Sequence, residues 1–333
     1  MRVATYNVEW FSNLFGDDGA LLHDGRWSAR HDVTRADQLD AVGRVIGALE
    51  ADAVLIVEAP DISRKRDGVA ALERFAKRYD LRPRAAIAGF ASETQQELIL
   101  LYDPDILGAV HAPGESTEAP RFDGEFEIDL DIDASADKVR WSKPPLELEL
   151  ESKAARVQMV GVHAKSKAPH GATDEHDAMR IAIANRRKQL AQCIWLRRRV
   201  EGHLAAGTPL LVMGDFNDGP GLDRFEALFG RSGVEIVLGG DAPETRLYDP
   251  HAAMALQSRI AAQPTTARFY QKRTGGYLEA LLDYIMVSPG LRPADQAWQI
   301  WHPFNDPGCW NDRGLRDALL TASDHFPVTL DIG

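Results

Sequence analysis

Carboxylates, amides and imidazoles recur in this chain where apolar runs stop. The run that starts at Arg2 ends on Asn7 and Glu9, and Val54-Leu55-Ile56-Val57 ends on Glu58. Val160-Gly161-Val162 ends on His163, with Lys165 and Lys167 beyond it. Leu210-Leu211-Val212-Met213-Gly214 stops at Asp215 and Asn217, Asp283 opens Tyr284-Ile285-Met286-Val287, and Asp324-His325 precedes Phe326-Pro327-Val328. Taken singly, each is an ordinary cap or turn residue. As a set they suit phosphoryl transfer. Carboxylate and amide oxygens are hard ligands matched to Mg²⁺ or Mn²⁺, with Ca²⁺ a third option. Imidazole and ammonium groups stabilise charge that develops on phosphate oxygens. The chain has no Cys/His spacing of a zinc hydrolase, no Gly-rich phosphate loop and no serine in a nucleophile elbow. Water is therefore the simplest nucleophile.

The elements that must hold these residues are strands with helices between them. Period-two and short apolar patterns predict strands over Arg2 to Val8, Ala53 to Val57, Arg84 to Ala88, Glu97 to Tyr102, Glu125 to Ile132, Leu146 to Glu151 and Arg156 to Val162. Later strands are expected over Leu210 to Met213, Leu281 to Val287, Trp298 to His302 and Pro327 to Ile332. Helical spacing predicts helices over Arg35 to Glu50, Lys65 to Tyr79 and Glu175 to Leu204. Leu146-Glu147-Leu148-Glu149-Leu150-Glu151 alternates strictly, which predicts one buried and one wet face. Residues 104–124 read as a loop, and the stretch 104–140 as an acidic insertion. No repeat or linker divides the chain, so the expectation is one domain over 1–333: an α+β sandwich of two mixed sheets with helices outside. Strand ends from both sheets of a sandwich converge on one rim, where these residues would form one cluster.

The bulk composition restricts the function classes. Of 333 residues, 44% are hydrophobic and 26% charged, as in a water-soluble protein with a sizeable core. The formal net charge of −12 weakens any reading as a general polyanion binder, although bound cations or a basic stripe can coexist with it. The run Asp123, Glu125, Glu127, Asp129, Asp131 and Asp133 alternates with Phe126, Ile128, Leu130 and Ile132, so it reads as a solvated strand edge. Cys193 and Cys309 match neither a disulfide framework nor a zinc site. With no long apolar segment at the start and none long enough to span a bilayer, the expectation is a cytoplasmic protein.

Six segments then carry a resemblance: Thr5-Tyr6-Asn7-Val8-Glu9, Leu55-Ile56-Val57-Glu58, Val162-His163-Ala164-Lys165-Ser166, Gly214-Asp215-Phe216-Asn217, Leu282-Asp283-Tyr284-Ile285 and Ser323-Asp324-His325-Phe326-Pro327-Val328. In this order the chain resembles the endonuclease/exonuclease/phosphatase superfamily, the fold of DNase I and the abasic-site endonucleases. The resemblance implies a four-layer α/β/β/α sandwich and a divalent-metal-dependent phosphoesterase. It implies Glu58 as the main metal carboxylate, Asn7 as a second contact at the metal or an orienter of the attacking water, and Asp324 as a metal- or water-binding carboxylate. Asp215 and Asn217 would stand beside the nucleophile and the phosphate. His325 resembles the catalytic histidine and Asp283 its partner. Which of Asp215 and His325 acts as base stays open.

His163 with Glu97 as its partner resembles the DNase I-like and phospholipid-cleaving branches, with His163 a general acid or phosphate contact and Lys165 added charge. The abasic-site enzymes usually carry Asp at the position of Glu9, so Glu9 is kept as a further ligand. Arg180, Arg186, Arg187, Lys188, Arg197, Arg198 and Arg199 on the long helix read as a solvated side in preference to a nucleic-acid face. The segment Trp301 to Asp317 reads as a loop rimming the pocket, whose aromatic residues would hold a base or apolar group or else close the loop's own small core; His170 and His176 lie near the long helix and read as ordinary polar residues in preference to rim residues. The leading expectation is a nuclease. The alternatives are a phospholipid or small-molecule phosphodiesterase on the same fold and a catalytically silent binding module.

Overall fold

The computed structural model describes residues 1–130, 137–153, 155–169, 171–219, 230–240, 242–257, 263–271 and 275–333. Asp131, Asp133 and His170 lie outside them. Strands β1 (Arg2–Asn7), β2 (Ala53–Ala59), β3 (Ala85–Ala88), β4 (Glu97–Tyr102), β14 (Trp298–Ile300) and β15 (Val328–Asp331) form a sheet in the order β14-β15-β1-β2-β4-β3. Strands β5 (Leu107–His111), β8 (Leu146–Ser152), β9 (Arg156–His163), β10 (Leu210–Asp215) and β13 (Asp283–Val287) form the second, in the order β13-β10-β9-β8-β5. Two hairpins stand apart: β6 (Phe126–Ile128) with β7 (Asp137–Val139), and β11 (Ala267–Gln271) with β12 (Gly276–Ala280).

Three apolar cores separate four layers. Val3, Leu55, Val57, Met159, Met213 and Ile285 pack between the two sheets. The outer face of the first sheet packs on α1 (Arg35–Leu49), α2 (Gly68–Arg78) and α7 (Arg313–Ala322) through Tyr6, Ile56, Val42, Phe75 and Leu319. The outer face of the second packs on α3 (Glu175–Ala205) and α4 (Gly233–Leu238) through Val160, Val212, Trp195, Leu196 and Val237. This is the mixed α+β sandwich with helices outside that the strand and helix patterning predicts.

Local chemistry explains the helix limits. Leu39, Val42, Val45, Ile46 and Leu49 line the buried face of α1, and the Thr34 hydroxyl accepts the Asp37 N–H at 3.1 Å. The Asp174 carboxylate caps α3 through the Asp177 N–H at 2.8 Å. Among the described residues, α5 (Pro250–Gln257) and α6 (Pro307–Asn311) are further short helices.

Several expectations are corrected. Leu107–His111 is an edge strand of the second sheet, although 104–124 reads as a loop, because only Leu107 and the small Ala109 give that strand apolar anchors in the inter-sheet core. Residues 301–317 are not a plain loop: they hold α6 and the start of α7. The second face of β8 is wet only towards its end, where Glu151 is exposed and Glu149 half-buried. Glu147 is buried under α3, where Arg199 lies 3.2 Å away, and burial pushes its carboxyl up to about 7 against the pull of Arg199. The α3 cations are a solvated side only in part: Arg180 and Arg198 are exposed and Arg187 and Lys188 half-buried. Arg186, Arg197 and Arg199 are buried. Arg197 donates to the carbonyls of Val237 and Leu238 at the end of α4, each at 3.2 Å, which satisfies acceptors the helix leaves open. Arg199 donates to the carbonyls of Ala119 and Pro120 at 2.9 and 3.0 Å.

Candidate active site

One parity rule positions most of the site. Along β1, Val3 faces the inter-sheet core, so Thr5 and Asn7 face it too. On β9, Val157 and Met159 set the same face for Gly161 and His163. On β10, Leu211 and Met213 set it for Asp215, and on β13, Ile285 and Val287 set it for Asp283. Register brings the ends level: Asp215 pairs with His163 on one side and Asp283 on the other. Gly214 permits this approach. It has φ 137°, and a Cβ there would lie 2.0 Å from the Val162 carbonyl oxygen.

Glu58 needs a different device. Val54 and Ile56 face the helices, and strict alternation would send Glu58 after them into an apolar layer. A bulge instead pairs Val57 with Leu98 and Ala59 with Glu97, leaving Glu58 as the extra residue at φ 62°. Ala59 takes the helix-facing position, and the carboxylate turns into the cleft.

The result is a cleft of about 720 Å³ whose lining includes Asn7, Glu9, Glu58, His163, Lys165, Asp215, Asn217, Asp324 and His325. Asn7 Nδ2 donates to Asp215 Oδ2 at 2.9 Å and so ties the two sheets together. Asn217, at φ 49°, donates to Asp215 through its backbone N–H at 2.7 Å and its amide at 3.1 Å. Behind the lining, Asp283 Oδ2 lies 2.7 Å from His325 Nδ1 and accepts the Thr266 hydroxyl at 2.8 Å.

Burial and charge set the protonation states. Burial alone would lower His325, but contact with Asp283, aided by Asp215 and Asp324, holds it well above its ordinary value. Burial pushes Asp215 up to about 6, with His325 pulling the other way. Burial, reinforced by the like charges of Lys143 and His325, drives His163 well below its usual value, so its ring is neutral. Burial also raises Glu58 to about 7, and raises Glu9 to about 7 with Asp324 adding to it.

The oxygen donors fit a hard divalent cation. Among the described residues no hydrogen-bond donor reaches the carboxylates of Glu58 or Asp324, and Asn7 Oδ1 is buried without a partner. Glu9 contributes less openly, because it accepts from Arg30 and from the Trp10 indole. Asp215, Asp283 and His325 also bring donor atoms within 4.8 Å of one another. There, however, Asp283 already occupies His325 Nδ1, so the triplet is a charged pair beside an acid and not an open coordination site.

The pairing of Glu97 with His163 is corrected. Glu97 lies outside the cleft lining and accepts the backbone N–H groups of Ile62 at 3.2 Å and Ser92 at 2.9 Å, holding two loops. His163 has other neighbours: Lys143 Nζ lies 3.1 Å from its Nε2, and Asp215 Oδ2 lies 3.7 Å away. Lys143 precedes β8 in a polar turn with no apolar run beside it, so no pattern marks it. Ser323 is a second residue that strand-end reasoning missed. Its hydroxyl donates to the Asn7 carbonyl at 2.7 Å and accepts the N–H groups of Glu9 at 3.1 Å and His325 at 3.2 Å. Its place beside Asp324-His325 was the available signal.

The model of the endonuclease/exonuclease/phosphatase family matches residues 4–325. No curated protein matches the chain. Among solved structures, truncated TDP2 from Caenorhabditis elegans is similar with a TM-score of 0.52 and 14% identity, over 99% of this chain and 96% of that one. TDP2 from D. rerio complexed with a single-strand DNA product is similar with a TM-score of 0.52 and 11% identity, over 100% and 98%. At such identities these likenesses concern the fold. The family match spans nearly the whole sequence and includes the segments from Asn7 to His325: the chain belongs to the endonuclease/exonuclease/phosphatase family.

Proposed function

We propose that the protein is a divalent-metal-dependent phosphodiester hydrolase and that its substrate is nucleic acid. One observation carries the reading: a buried Asp283–His325 pair stands beside Asp215 at the floor of a cleft whose rim holds unpartnered oxygen donors. Glu58, Asp324 and the Asn7 amide oxygen would hold the cation, with Glu9 near them. Such a cation would neutralise charge on a non-bridging phosphate oxygen.

The chain's own groups divide the remaining work. His325, kept charged by Asp283, faces the phosphate as a fixed positive group and has no free base to offer at neutral pH. Asp215 is mostly ionised above about 6, and Asn7 and Asn217 orient it, so it takes the proton of the attacking water. Neutral His163 and charged Lys143 flank the far side of Asp215, where Lys143 supplies the positive charge His163 lacks. The Trp10 and Phe269 rings on the cleft wall offer flat apolar surface to a base, with Leu278 adding aliphatic contact.

The test is hydrolysis of bis-p-nitrophenyl phosphate, single-stranded DNA, RNA and sphingomyelin with Mg²⁺, Mn²⁺ and Ca²⁺. Nucleotide release with one of these ions is the expected result. Release of a lipid head group alone would transfer the reading to the phospholipid branch, and no turnover with any ion would leave a silent binding module.

A further inference from the structure

Two turns that offer oxygen donors to the cation come from opposite ends of the chain. Asn7 closes β1 and Glu9 follows it, whereas Asp324 stands between α7 and β15. The antiparallel pairing of β1 with β15 runs from Arg2–Asp331 only as far as Thr5–Val328. Beyond Thr5 no ladder between these strands fixes how far apart the two turns stand, so side chains must. Ser323 ties them from inside, through the main chain of Asn7, Glu9 and His325. A second tie comes from behind, out of α1.

Gln38 lies near the start of α1 and is fully buried. Its Nε2 donates to the Glu9 carbonyl at 2.7 Å and to the Ala322 carbonyl at 3.0 Å. Ala322 is the last residue of α7, where a helix leaves its carbonyls without an internal donor. Both amide hydrogens are therefore spent on joining the two turns. The other half of the amide gains nothing: among the described residues, Gln38 Oε1 is buried without a partner. An apolar side chain such as those of Leu39 and Val42 would escape that desolvation cost. The position thus carries a donor at some expense of stability, which points to a task other than packing. Arg30 repeats the connection at the level of side chains. It donates to the Glu9 carboxylate and, at 3.1 Å, to the Leu320 carbonyl in the last turn of α7.

We infer that Gln38 is a positioning residue: it sets the separation of the Asn7–Glu9 turn from the Asp324–His325 turn, and with it the spacing of the oxygen donors. Gln38 does not line the cleft, so it acts without touching ion or substrate. This rests on the reading of the cleft as a metal-dependent hydrolase. The consequence is selective. Mg²⁺ demands oxygens at about 2.0–2.1 Å in a near-octahedral array, whereas Ca²⁺ accepts about 2.3–2.6 Å and irregular geometry. Loosening the spacing should therefore cost Mg²⁺ more than Ca²⁺.

Ion binding can be measured apart from hydrolysis, by calorimetric titration of the full chain with Mg²⁺ and with Ca²⁺. Gln38→Met keeps the length of the side chain and removes both donors. Its Kd for Mg²⁺ should weaken on the order of tenfold or more, and its Kd for Ca²⁺ by no more than about threefold. Leu39→Ala, the next residue on α1, is the control for general loosening: its thermal midpoint should fall while its ratio of Mg²⁺ to Ca²⁺ affinity stays that of wild type. Should Gln38→Met fail to fold, Gln38→Asn makes the same comparison, because the shorter amide does not span both carbonyls. A lower midpoint with an unchanged Mg²⁺ affinity makes Gln38 a structural residue and overturns the inference, as does an equal loss of Mg²⁺ affinity in Leu39→Ala. A wild-type protein that binds neither ion overturns the metal reading and the positioning role together. Ion affinity that depends on Gln38, in a protein that hydrolyses no diester, keeps the positioning role and removes the hydrolase reading.

Discussion

Asp215 concentrates the residue-scale argument. Its carboxylate is buried, accepts from the amides of Asn7 on the first sheet and Asn217 just past β10, and sits beside two histidines of opposite protonation state. Asp215→Asn keeps the shape but removes the acceptor of the water proton, so kcat should fall by about 10²–10⁴-fold with little change in KM. The pH dependence has a definite sign. The working form is the carboxylate, its carboxyl is raised to about 6, and activity at saturating metal should rise as pH climbs through that value. A kcat profile flat from about pH 5 to pH 8 would count against Asp215 as base. Ser323 acts one step back, since its hydroxyl joins the main chain of Asn7, Glu9 and His325. Ser323→Ala should cost about 1–3 kcal/mol of stability and lower kcat more than it raises KM, as urea unfolding and steady-state kinetics would show.

At the scale of elements, the bulge in β2 trades stability for placement. It holds a non-glycine residue at positive φ and draws into the cleft a half-buried carboxylate that no donor among the described residues reaches. Glu58→Gly should therefore raise metal-free stability by about 1 kcal/mol or more, read as a higher unfolding midpoint, while abolishing turnover. An unchanged or lower midpoint would show that the bulge carries no strain. Helix α3 illustrates the opposite case, in which charge holds elements together. The Asp218 carboxylate is buried and accepts from Arg186 at 2.9 Å and Lys167 at 2.8 Å. Asp218→Ala would strand the buried Arg186 guanidinium, and the expected loss is about 3–5 kcal/mol, read as a lower thermal midpoint.

For the whole molecule, excess acid and cation binding are linked. Burial raises Glu9 and Glu58 to about 7, so the metal-free protein retains protons there near neutrality that its unfolded chain would release. Those raised values make the free carboxylates a source of instability as pH rises from the ordinary carboxylate range towards 7. A bound cation removes that penalty by displacing the protons. Divalent-ion affinity should climb steeply from about pH 6 to about pH 8, and calorimetry in buffers of different ionisation enthalpy should detect proton release. Affinity independent of pH would place the ion elsewhere. Among the described residues no helix is long and apolar enough to cross a membrane.

Much of this was legible in the residues alone. Strand parity is a local property, so Val3-x-Thr5-x-Asn7, Leu211-x-Met213-x-Asp215 and Asp283-x-Ile285-x-Val287 already place each polar end on the same face as the apolar residues at alternate positions of its strand. What decided the rest was pairing between distant segments. Glu97 opens a strand just as Asn7 closes one, yet its partner is the backbone of Ile62 and Ser92 because loops, not His163, close over it. Lys143 belongs to the site only because its turn lands on His163, and the bulge at Glu58 exists only in the register of β2 against β4. Arg186, Arg197 and Arg199 look solvated by type, and are buried because carbonyls and carboxylates from remote segments reach them. Hydrophobic periodicity is written along one chain, whereas the partner of a buried charge is chosen in three dimensions, where desolvation forces each charge to find one.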